Sequence, residues 1–210
     1  MLEAAVADGI THIICTPHIT PGLIQFPLET FHHNYQQALD YITAQNLPLR
    51  LSAGAEILYT DSTPRLLREG KIPTLAGTRY VMIEFTPADT RAQINDALRK
   101  VSSTGFIPVI AHLERYPALS RTSQVKDLKD RFRALVQINA RSLLRKQPLF
   151  RRGYFDGLFR EGLVDFIATD THSFPGRETC MTEGAKALRE KYSENTADRI
   201  LSNPVSILHP

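Results

Sequence analysis

Histidine, aspartate and glutamate stand at the ends of five apolar runs in this sequence. The residues concerned are His18, Glu56, Glu84, His112, Asp170 and His172. Imidazole and carboxylate groups are the ligands that divalent transition metals such as Mn²⁺, Fe²⁺ and Zn²⁺ accept in proteins. If the runs are parallel strands, their carboxyl ends meet at one rim, where such side chains form a single polar pocket. The spacing therefore predicts a metal-dependent hydrolase.

The two glutamates lie in strongly apolar surroundings. Glu56 ends the run LRLSAGAE, in which Gly54 and Ala55 allow a close approach of the backbone, and Glu84 lies inside YVMIEF. A buried carboxylate is costly unless a counter-charge is present. A divalent cation is one source of that charge, and an arginine or lysine from a neighbouring strand is the alternative.

The segment AHLER adds a group that is suited to phosphate rather than to metal. It places His112 at the end of a run, with Glu114 and Arg115 in the loop that follows. Arginine presents a planar fork of donors that matches phosphate oxygens. The alternative for Arg115 is a surface ion pair with Glu114. Farther along, Asp170 and His172 are two residues apart, so their side chains share one face of an extended segment.

Apolar runs and amphipathic segments alternate along the chain, which indicates a single α/β domain over residues 1–210. The predicted strands cover residues 10–15, 49–57, 80–85, 107–112, 134–140 and 164–170. The predicted helices cover residues 1–9, 28–45, 64–69, 88–105, 123–132, 141–147, 148–162, 178–192 and 196–208. Nearly continuous apolar strands joined by helices predict a parallel sheet covered on its outer face. Ligand-type residues at successive strand ends favour a barrel over an open, doubly wound sheet.

Composition and charge argue against several other functions. Lysine and arginine exceed aspartate and glutamate by only three, 25 against 22, so bulk charge gives no reason to expect nucleic acid as a partner. No stretch approaches the roughly 20 apolar residues that span a bilayer, and the start MLEAAVADG lacks the features of a signal peptide. Two cysteines are too few for a disulfide scaffold, so we expect a cytoplasmic protein without membrane insertion.

Known nucleophile motifs are also missing from the sequence. A thiol phosphatase needs an arginine after five intervening residues, but Pro21 and Lys186 occupy that position relative to Cys15 and Cys180. There is no Walker loop and no G-x-S-x-G turn. Metal-assisted chemistry therefore remains the leading interpretation.

A cluster of basic residues lies between the fifth and sixth predicted strands. It comprises Arg145, Lys146, Arg151 and Arg152. Such a cluster is usually a solvated helix face, and the alternative is a docking site for an acidic or phosphorylated partner.

The motifs occur in an order that resembles one protein family. They are T-P-H, G-A-E, Y-V-M-I-E-F, I-A-H-x-E-R, Q-I-N-A-x-S-L-L and T-D-T-H. Together they resemble the polymerase and histidinol phosphatase (PHP) family, and most closely its manganese-dependent tyrosine phosphatases of bacterial capsule and exopolysaccharide loci. The resemblance covers nearly the whole chain. Each motif alone is weak, but six in sequence are specific.

The resemblance implies a fold, a cofactor and a substrate. The fold would be a distorted, seven-stranded, TIM-like (β/α) barrel that holds up to three metal ions, with Mn²⁺ favoured over Fe²⁺ and Zn²⁺. Arg115 would hold the phosphate, and the metal ligands would be His18, Glu56, Glu84, His112, Asp170 and His172. The substrate would be a phosphotyrosine protein, namely the autophosphorylated tail of a bacterial tyrosine kinase. A small-molecule phosphatase of the histidinol-phosphate kind is the second enzymatic hypothesis.

The sequence departs from that family at its start. The family opens with a strand that carries an H-x-H motif, and no H-x-H precedes T-P-H here. The six predicted strands therefore correspond to the barrel without its first strand, as in a domain truncated at its N-terminus. We expect a chain that begins at Met1 to bind metal weakly, to expose an apolar strand edge and to self-associate. A non-catalytic regulatory protein is the hypothesis that this departure favours.

Overall fold

The computed structural model describes residues 1–23, 27–173 and 176–208. Within these residues the strands β1 to β8 are His12–Cys15, His18–Ile19, Arg50–Ala53, Glu56–Leu58, Tyr80–Glu84, Ile107–Ile110, Leu135–Asn139 and Phe166–Ala168. The helices α1 to α10 are Leu2–Ala7, Leu28–Ala44, Thr63–Arg68, Arg91–Ser102, Thr122–Phe132, Ala140–Leu144, Leu149–Arg160, Met181–Lys191, Glu194–Ser202 and Pro204–Leu208. Short 3₁₀ turns lie at Leu75–Gly77 and Leu113–Arg115.

All strand pairs are parallel, as predicted. β1 pairs with β3, while β2, β4, β5, β6, β7 and β8 follow one another in a second sheet. Because neighbouring strands follow the chain order, each crossover advances the sheet in the same direction and curls it into a half-barrel. Among the described residues, β2 and β8 form the two edges of this sheet. The prediction of an α/β fold with a barrel-like parallel sheet is confirmed.

The first strands differ from the prediction in two respects. A second short strand, β2, follows β1, and the predicted strand 49–57 is divided into β3 and β4 at Gly54 and the residue after it. Pro17, between β1 and β2, has no N–H to donate to a strand partner. A Cβ at Gly54 would come within 2.9 Å of a side chain on β1. Beyond these interruptions His18 pairs with Glu56, so both side chains are placed at the same rim.

Each predicted helical segment contains helix, although the bounds differ by a few residues. The predicted helix 88–105 begins later than expected, because Thr90 and Gln93 form a reciprocal capping box at its start. The predicted helix 196–208 is divided before Pro204, which cannot supply the N–H that a continuous helix requires. None of the helices in the described part of the chain combines the length and apolar character needed to cross a membrane.

Alternation along β5 explains why a glutamate lies on the polar face of the sheet. Val81 and Ile83 are fully buried in the core that the strands share with α4 and α5. Tyr80, Met82 and Glu84 occupy the alternate positions and are only partly buried. Burying an aliphatic side chain contributes roughly 1.5–3 kcal/mol. The register that buries Val81 and Ile83 therefore also sets the position of Glu84.

A carboxylate after α1 attaches that helix to α8. Asp8 accepts hydrogen bonds from the backbone N–H groups of Met181 and Thr182, at 2.6 and 2.9 Å. Its carbonyl oxygen accepts another from the Thr182 hydroxyl, at 2.8 Å. Burial alone would raise the pKa of Asp8, but these hydrogen bonds outweigh it and lower the pKa below its ordinary value. Asp8 thus acts as a remote cap at a helix N-terminus, where negative charge is stabilising.

We predict that Asp8→Ala lowers the free energy of unfolding by about 1–2 kcal/mol, because two N–H groups lose their acceptor. Since the folded-state pKa is lowered, this stabilisation is complete above the ordinary pKa of an aspartate and is lost as the pH falls through the lowered value. Urea unfolding followed by circular dichroism at neutral and acidic pH measures both effects. Asp130→Ala, on the exposed face of α5, is the control. Equal stability of the two variants at neutral pH would contradict the capping role.

Candidate metal centre

Three strands bring one histidine and two glutamates together at the rim of the half-barrel. His18 is the first residue of β2, Glu56 is the first of β4 and Glu84 is the last of β5. One ligand atom from each lies within 4.8 Å of the others. His18 Nδ1 is 3.5 Å from Glu84 Oε2 and 3.9 Å from Glu56 Oε1. The three side chains are spaced as ligands of a single cation would be.

His112 joins the same group from the loop that follows β6. Its Nε2 lies 2.8 Å from Glu56 Oε1 and 3.3 Å from Glu84 Oε1, and its side chain is almost fully buried. Its backbone is left-handed, with φ 31°, a conformation that costs a non-glycine residue about 1–3 kcal/mol. The same residue therefore combines a strained backbone with an imidazole that contacts both glutamates.

The charge of the two glutamates is partly offset by His112. Burial alone would lower the pKa of His112, but its hydrogen bonds to Glu56 and Glu84 outweigh burial and raise the pKa to about 9. The hydrogen bond from His112 in turn lowers the pKa of Glu84. No lysine or arginine of the described residues forms an ion pair with either carboxylate. Arg115, from the loop after the neighbouring strand β6, acts on Glu84 only through its charge and not through a direct pair. The set of carboxylate oxygens and imidazole nitrogens fits a divalent transition metal.

A second group of polar side chains surrounds Asp170, beyond β8. Asp170 Oδ2 accepts hydrogen bonds from Arg115 Nη2 (2.5 Å), from Asn139 Nδ2 (2.8 Å) and from Arg177. His172 Nδ1 lies 3.4 Å from Asp170 Oδ1. The backbone of Asp170 is also left-handed, with φ 50°. One carboxylate thus fixes two guanidinium groups at the rim, and both arginine side chains remain exposed to solvent.

His18 connects the two groups. Its Nε2 lies 3.1 Å from Nε2 of His172, while its Nδ1 faces the two glutamates. The structure therefore brings all six predicted ligand residues into one continuous cluster that joins the two edges of the sheet. Their assignment as metal ligands remains a prediction, and this convergence supports it.

Arg115 and Glu114 do not pair with each other. Arg115 turns to Asp170, whereas Glu114 is buried and accepts hydrogen bonds from the Asn139 backbone N–H (3.1 Å) and the Ser142 hydroxyl (2.7 Å). Burial raises the pKa of Glu114. The alternative of a surface ion pair between Arg115 and Glu114 is therefore wrong. The guanidinium of Arg115 instead lies beside the cluster of predicted ligands.

A buried amide pair on β7 links the two groups. The sequence-based prediction used these amides only as part of the motif Q-I-N-A-x-S-L-L and gave neither a role in the site. Gln137 Oε1 accepts a hydrogen bond from the His112 backbone N–H (2.6 Å), and Gln137 Nε2 donates to Asn139 Oδ1 (2.8 Å). Asn139 in turn donates to Asp170. The available signal was two amides at alternate positions of an apolar run, which share one face of a strand. Arg177 carries no such signal, because it lies in a loop without periodicity.

Tyr116 is a further residue that the sequence did not reveal, and it orients the imidazole of His112. Its hydroxyl lies 3.2 Å from His112 Nδ1 and accepts a hydrogen bond from the Phe85 backbone N–H at 3.1 Å. The Tyr116 ring is buried and packs edge-on against Phe85. A partner at Nδ1 keeps Nε2 directed at the glutamates, as metal-binding histidines require.

The family model for capsular polysaccharide synthesis, CpsB/CapC, matches residues 1–209 of this chain. The chain belongs to this family. Tyrosine-protein phosphatase CpsB of Streptococcus pneumoniae is 30% identical over 220 residues, which cover 99% of this chain and 88% of that protein. Tyrosine-protein phosphatase YwqE of Bacillus subtilis strain 168 is 24% identical over 208 residues, which cover 99% of this chain and 82% of that protein. The resemblance inferred from the motifs is confirmed.

A solved structure agrees with the CpsB/CapC assignment. A crystal structure from work on YwqE of Bacillus subtilis and CpsB of Streptococcus pneumoniae, both described as metal-dependent tyrosine phosphatases, aligns with a TM-score of 0.87. The sequence identity is 25%, and the alignment covers 99% of this chain and 84% of that chain. Dihydropyrimidinase from Brevibacillus agri aligns with a TM-score of 0.54 at 10% identity, over 100% of this chain and 66% of that chain, which shows a shared fold alone.

We predict that Glu84→Gln lowers the Mn²⁺ content of this CpsB/CapC chain at least about tenfold, because the variant keeps the shape of the side chain but removes a charged ligand. Metal content is measured by mass spectrometry after incubation with MnCl₂ and gel filtration. Glu190→Gln, on the exposed face of α8, is the control and should bind as the parent does. Unchanged metal content in a folded Glu84→Gln protein would remove Glu84 from the metal site.

We predict that Tyr116→Phe weakens the affinity for Mn²⁺ about 10- to 100-fold without removing any ligand, since His112 loses its orienting partner. Titration calorimetry with MnCl₂ measures the dissociation constant. Tyr59→Phe is a matched control, because the buried Tyr59 hydroxyl has no hydrogen-bond partner among the described residues. Equal affinities in the two variants would show that the Tyr116 hydroxyl does not position the ligand.

Proposed function

We propose that this chain is a metal-dependent protein-tyrosine phosphatase, a phosphoric monoester hydrolase. The observation that carries the proposal is a group of imidazole and carboxylate side chains around Glu56 and Glu84, spaced so that it could hold a cation, beside two rim arginines, Arg115 and Arg177. The CpsB and YwqE relatives are named for this activity. The proposed metal is manganese, as the resemblance to the manganese-dependent phosphatases implies. The carboxylates suit manganese and the imidazoles suit iron or zinc, which are the alternatives.

The proposed ligands divide between the two groups of the site. His18, Glu56, Glu84 and His112 would hold one ion, and His18, Asp170 and His172 offer donors for further ions, up to three in all. When bound, such ions supply Lewis-acid activation of water and of phosphate oxygens. The protein's own contribution is to hold these donors in place through the strand register and through the Tyr116 and Gln137 hydrogen bonds.

Arg115 and Arg177 are the proposed phosphate-binding residues. A guanidinium group has five N–H donors in a fixed fork, and each arginine directs an Nη2 atom at the same oxygen of Asp170. Donors therefore remain for the oxygens of a phosphate group. Because Asp170 already holds the two groups in place, little reorganisation is needed when charge spreads over the phosphate oxygens in the transition state.

The openness of the rim favours a phosphorylated protein over a small phosphate ester as the substrate. The side chains of His18, Arg115 and Arg177 are 55%, 41% and 44% exposed, whereas sites for small molecules bury most of the ligand surface. A tyrosine phenol, with a pKa near 10, also leaves more readily than an alkyl alcohol. The proposed substrate is the phosphorylated tail of a bacterial tyrosine kinase, and the proposed compartment is the cytoplasm.

The two cysteines support the metal-dependent route over a thiol route. Cys15 is half-buried on β1 and Cys180 is buried before α8, and both are free. Burial raises the pKa of both thiols. A nucleophilic cysteine requires the opposite shift, because the thiolate is the reactive form.

We predict that Arg115→Ala lowers kcat for p-nitrophenyl phosphate in the presence of Mn²⁺ about 100-fold or more, while the amount of bound metal stays unchanged. Arg115→Lys should recover only part of the rate, since lysine keeps the charge but lacks the planar fork. Release of nitrophenolate measures turnover, and mass spectrometry measures the metal in the same preparations.

Four controls accompany this experiment. Arg68→Ala, on the exposed face of α3, should hydrolyse the ester as the parent does, and so should Cys15→Ser and Cys180→Ser. Removal of the metal with EDTA should abolish turnover, and added Mn²⁺ should restore it. Loss of metal with unchanged turnover per bound ion in Arg115→Ala would assign Arg115 to metal binding instead. Turnover that resists EDTA would overturn the proposed function.

A further inference from the structure

An exposed surface that combines apolar and basic side chains lies where α6 gives way to α7. This surface, the α7 patch, comprises Leu144, Arg145, Lys146, Leu149 and Phe150. Leu149 is 88% exposed and Phe150 is 86% exposed. Single exposed apolar residues are ordinary, but large ones that cluster mark a binding surface.

The helix itself does not account for these exposed side chains. Farther along α7, Phe155, Leu158 and Phe159 are buried and attach the helix to the core. Leu149 and Phe150 belong to the first turn, which projects beyond that core. Exposing these two apolar side chains to water is unfavourable in free energy, and no packing within the described residues offsets it.

The charge of the α7 patch has one sign. Between Ala140 and Phe155 the sequence contains five basic residues and no aspartate or glutamate. Arg145 and Lys146 form no hydrogen bond or ion pair within the residues that the structure describes. Such a surface attracts acidic partners and repels a second copy of itself.

The α7 patch is joined to the phosphate-binding end of the site. Arg151 Nη2, in the first turn of α7, donates to the carbonyl oxygen of Glu114 at 2.7 Å. Glu114 belongs to the same 3₁₀ turn as Arg115. On the other side, Gln147 Nε2 donates to the Ser142 carbonyl at 2.9 Å, and the Ser142 hydroxyl donates to Glu114 Oε1. The patch and Arg115 are thus held by adjacent, hydrogen-bonded segments.

We propose that the α7 patch docks the polypeptide that flanks the phosphotyrosine of the protein substrate, a segment with acidic residues and at least one apolar side chain. This inference rests on the proposed phosphatase function. Arg145 and Lys146 bind the acidic side chains, while Leu149 and Phe150 cover the apolar one. The phosphate at Arg115 and the flanking segment at the patch then bind as two parts of one ligand, so the second contact costs little additional freedom.

An anionic membrane surface is the other class of partner that basic and apolar side chains can fit. Helices that lie in a membrane interface present an apolar face along their length. In α7 that face is buried beyond the first turn, and only Leu149 and Phe150 project. The geometry therefore favours a peptide, and vesicle binding becomes an outcome of the test.

The experiment compares two patch variants with a control of equal charge in the full chain. The charge variant combines Arg145→Gln with Lys146→Gln, and the apolar variant combines Leu149→Ser with Phe150→Ser. The control combines Arg68→Gln with Lys126→Gln, two exposed positions on α3 and α5.

Three probes are used with each protein. The first is a fluorescein-labelled phosphotyrosine peptide flanked by glutamate and leucine, and the second is the same peptide with glutamine in place of glutamate. The third is p-nitrophenyl phosphate, which reports the chemistry without any flanking segment. For fluorescence anisotropy, the phosphotyrosine of each peptide is replaced by a non-hydrolysable phosphonate analogue, so that turnover does not consume the probe.

Each patch variant should lower the affinity and the kcat/KM for the glutamate peptide about tenfold, with p-nitrophenyl phosphate hydrolysis unchanged. The charge variant should bind the glutamine peptide nearly as tightly as the parent does. The control should match the parent within about twofold in peptide affinity and in p-nitrophenyl phosphate hydrolysis. Unchanged peptide affinity in both patch variants would overturn the docking proposal. An equal loss of activity on p-nitrophenyl phosphate would also overturn it, because the patch would then act on the chemistry.

Two further outcomes separate this inference from its alternatives. Co-sedimentation with phosphatidylserine vesicles that is lost in the patch variants, with unchanged peptide affinity, would assign the surface to a membrane and overturn peptide docking. A parent protein that fails to hydrolyse p-nitrophenyl phosphate with Mn²⁺, yet binds the glutamate peptide through the patch, would support docking and overturn the proposed phosphatase function.

Discussion

The mutual repulsion of Glu56 and Glu84 is the constraint on which the rest of the site depends. The parallel register of β4 and β5 places both carboxylates within reach of the same imidazole, and that register is itself set by apolar residues such as Val81 and Ile83 on the opposite face. The two acids cannot separate without exposing that core. A positive charge must therefore be supplied between them, and among the described side chains His112 supplies it. A metal centre of this kind is a consequence of core packing as much as of its ligands.

The distribution of charge divides the rim into two halves with different partners. The half around Glu56 and Glu84 is acidic and suits a cation, while the half around Arg115 and Arg177 is basic and suits an anion. Asp170 belongs to both, because it pairs with the two arginines and lies beside His172. With a cation held in the acidic half, a phosphate group between the halves would meet positive charge on each side. The arrangement places the proposed phosphate-binding residues and the proposed metal ligands within one set of hydrogen bonds.

The parts of this site that could be predicted from sequence are those governed by local periodicity. Glu84 and His112 lie at the ends of apolar runs. The alternation of apolar and polar residues along a strand predicts on which face such a side chain lies, even when the fold is unknown. β2 was not predicted, because two residues are too few to show a period. The partner of Arg115 could not be predicted either, since Asp170 is distant in sequence and only the closing of the sheet brings the two together. The role of Arg177 could not be predicted either, because only the structure shows its contact with Asp170.

The left-handed backbones of His112 and Asp170 have a consequence for engineering this protein. Each position combines an unfavourable φ angle with a side chain on which the site depends. Glycine or asparagine would fit such angles at lower energy, so a search for thermostabilising substitutions would select these two positions early. The stability gained there would come at the expense of the polar cluster. A strained backbone at a polar cluster is the combination in which stability and function oppose each other.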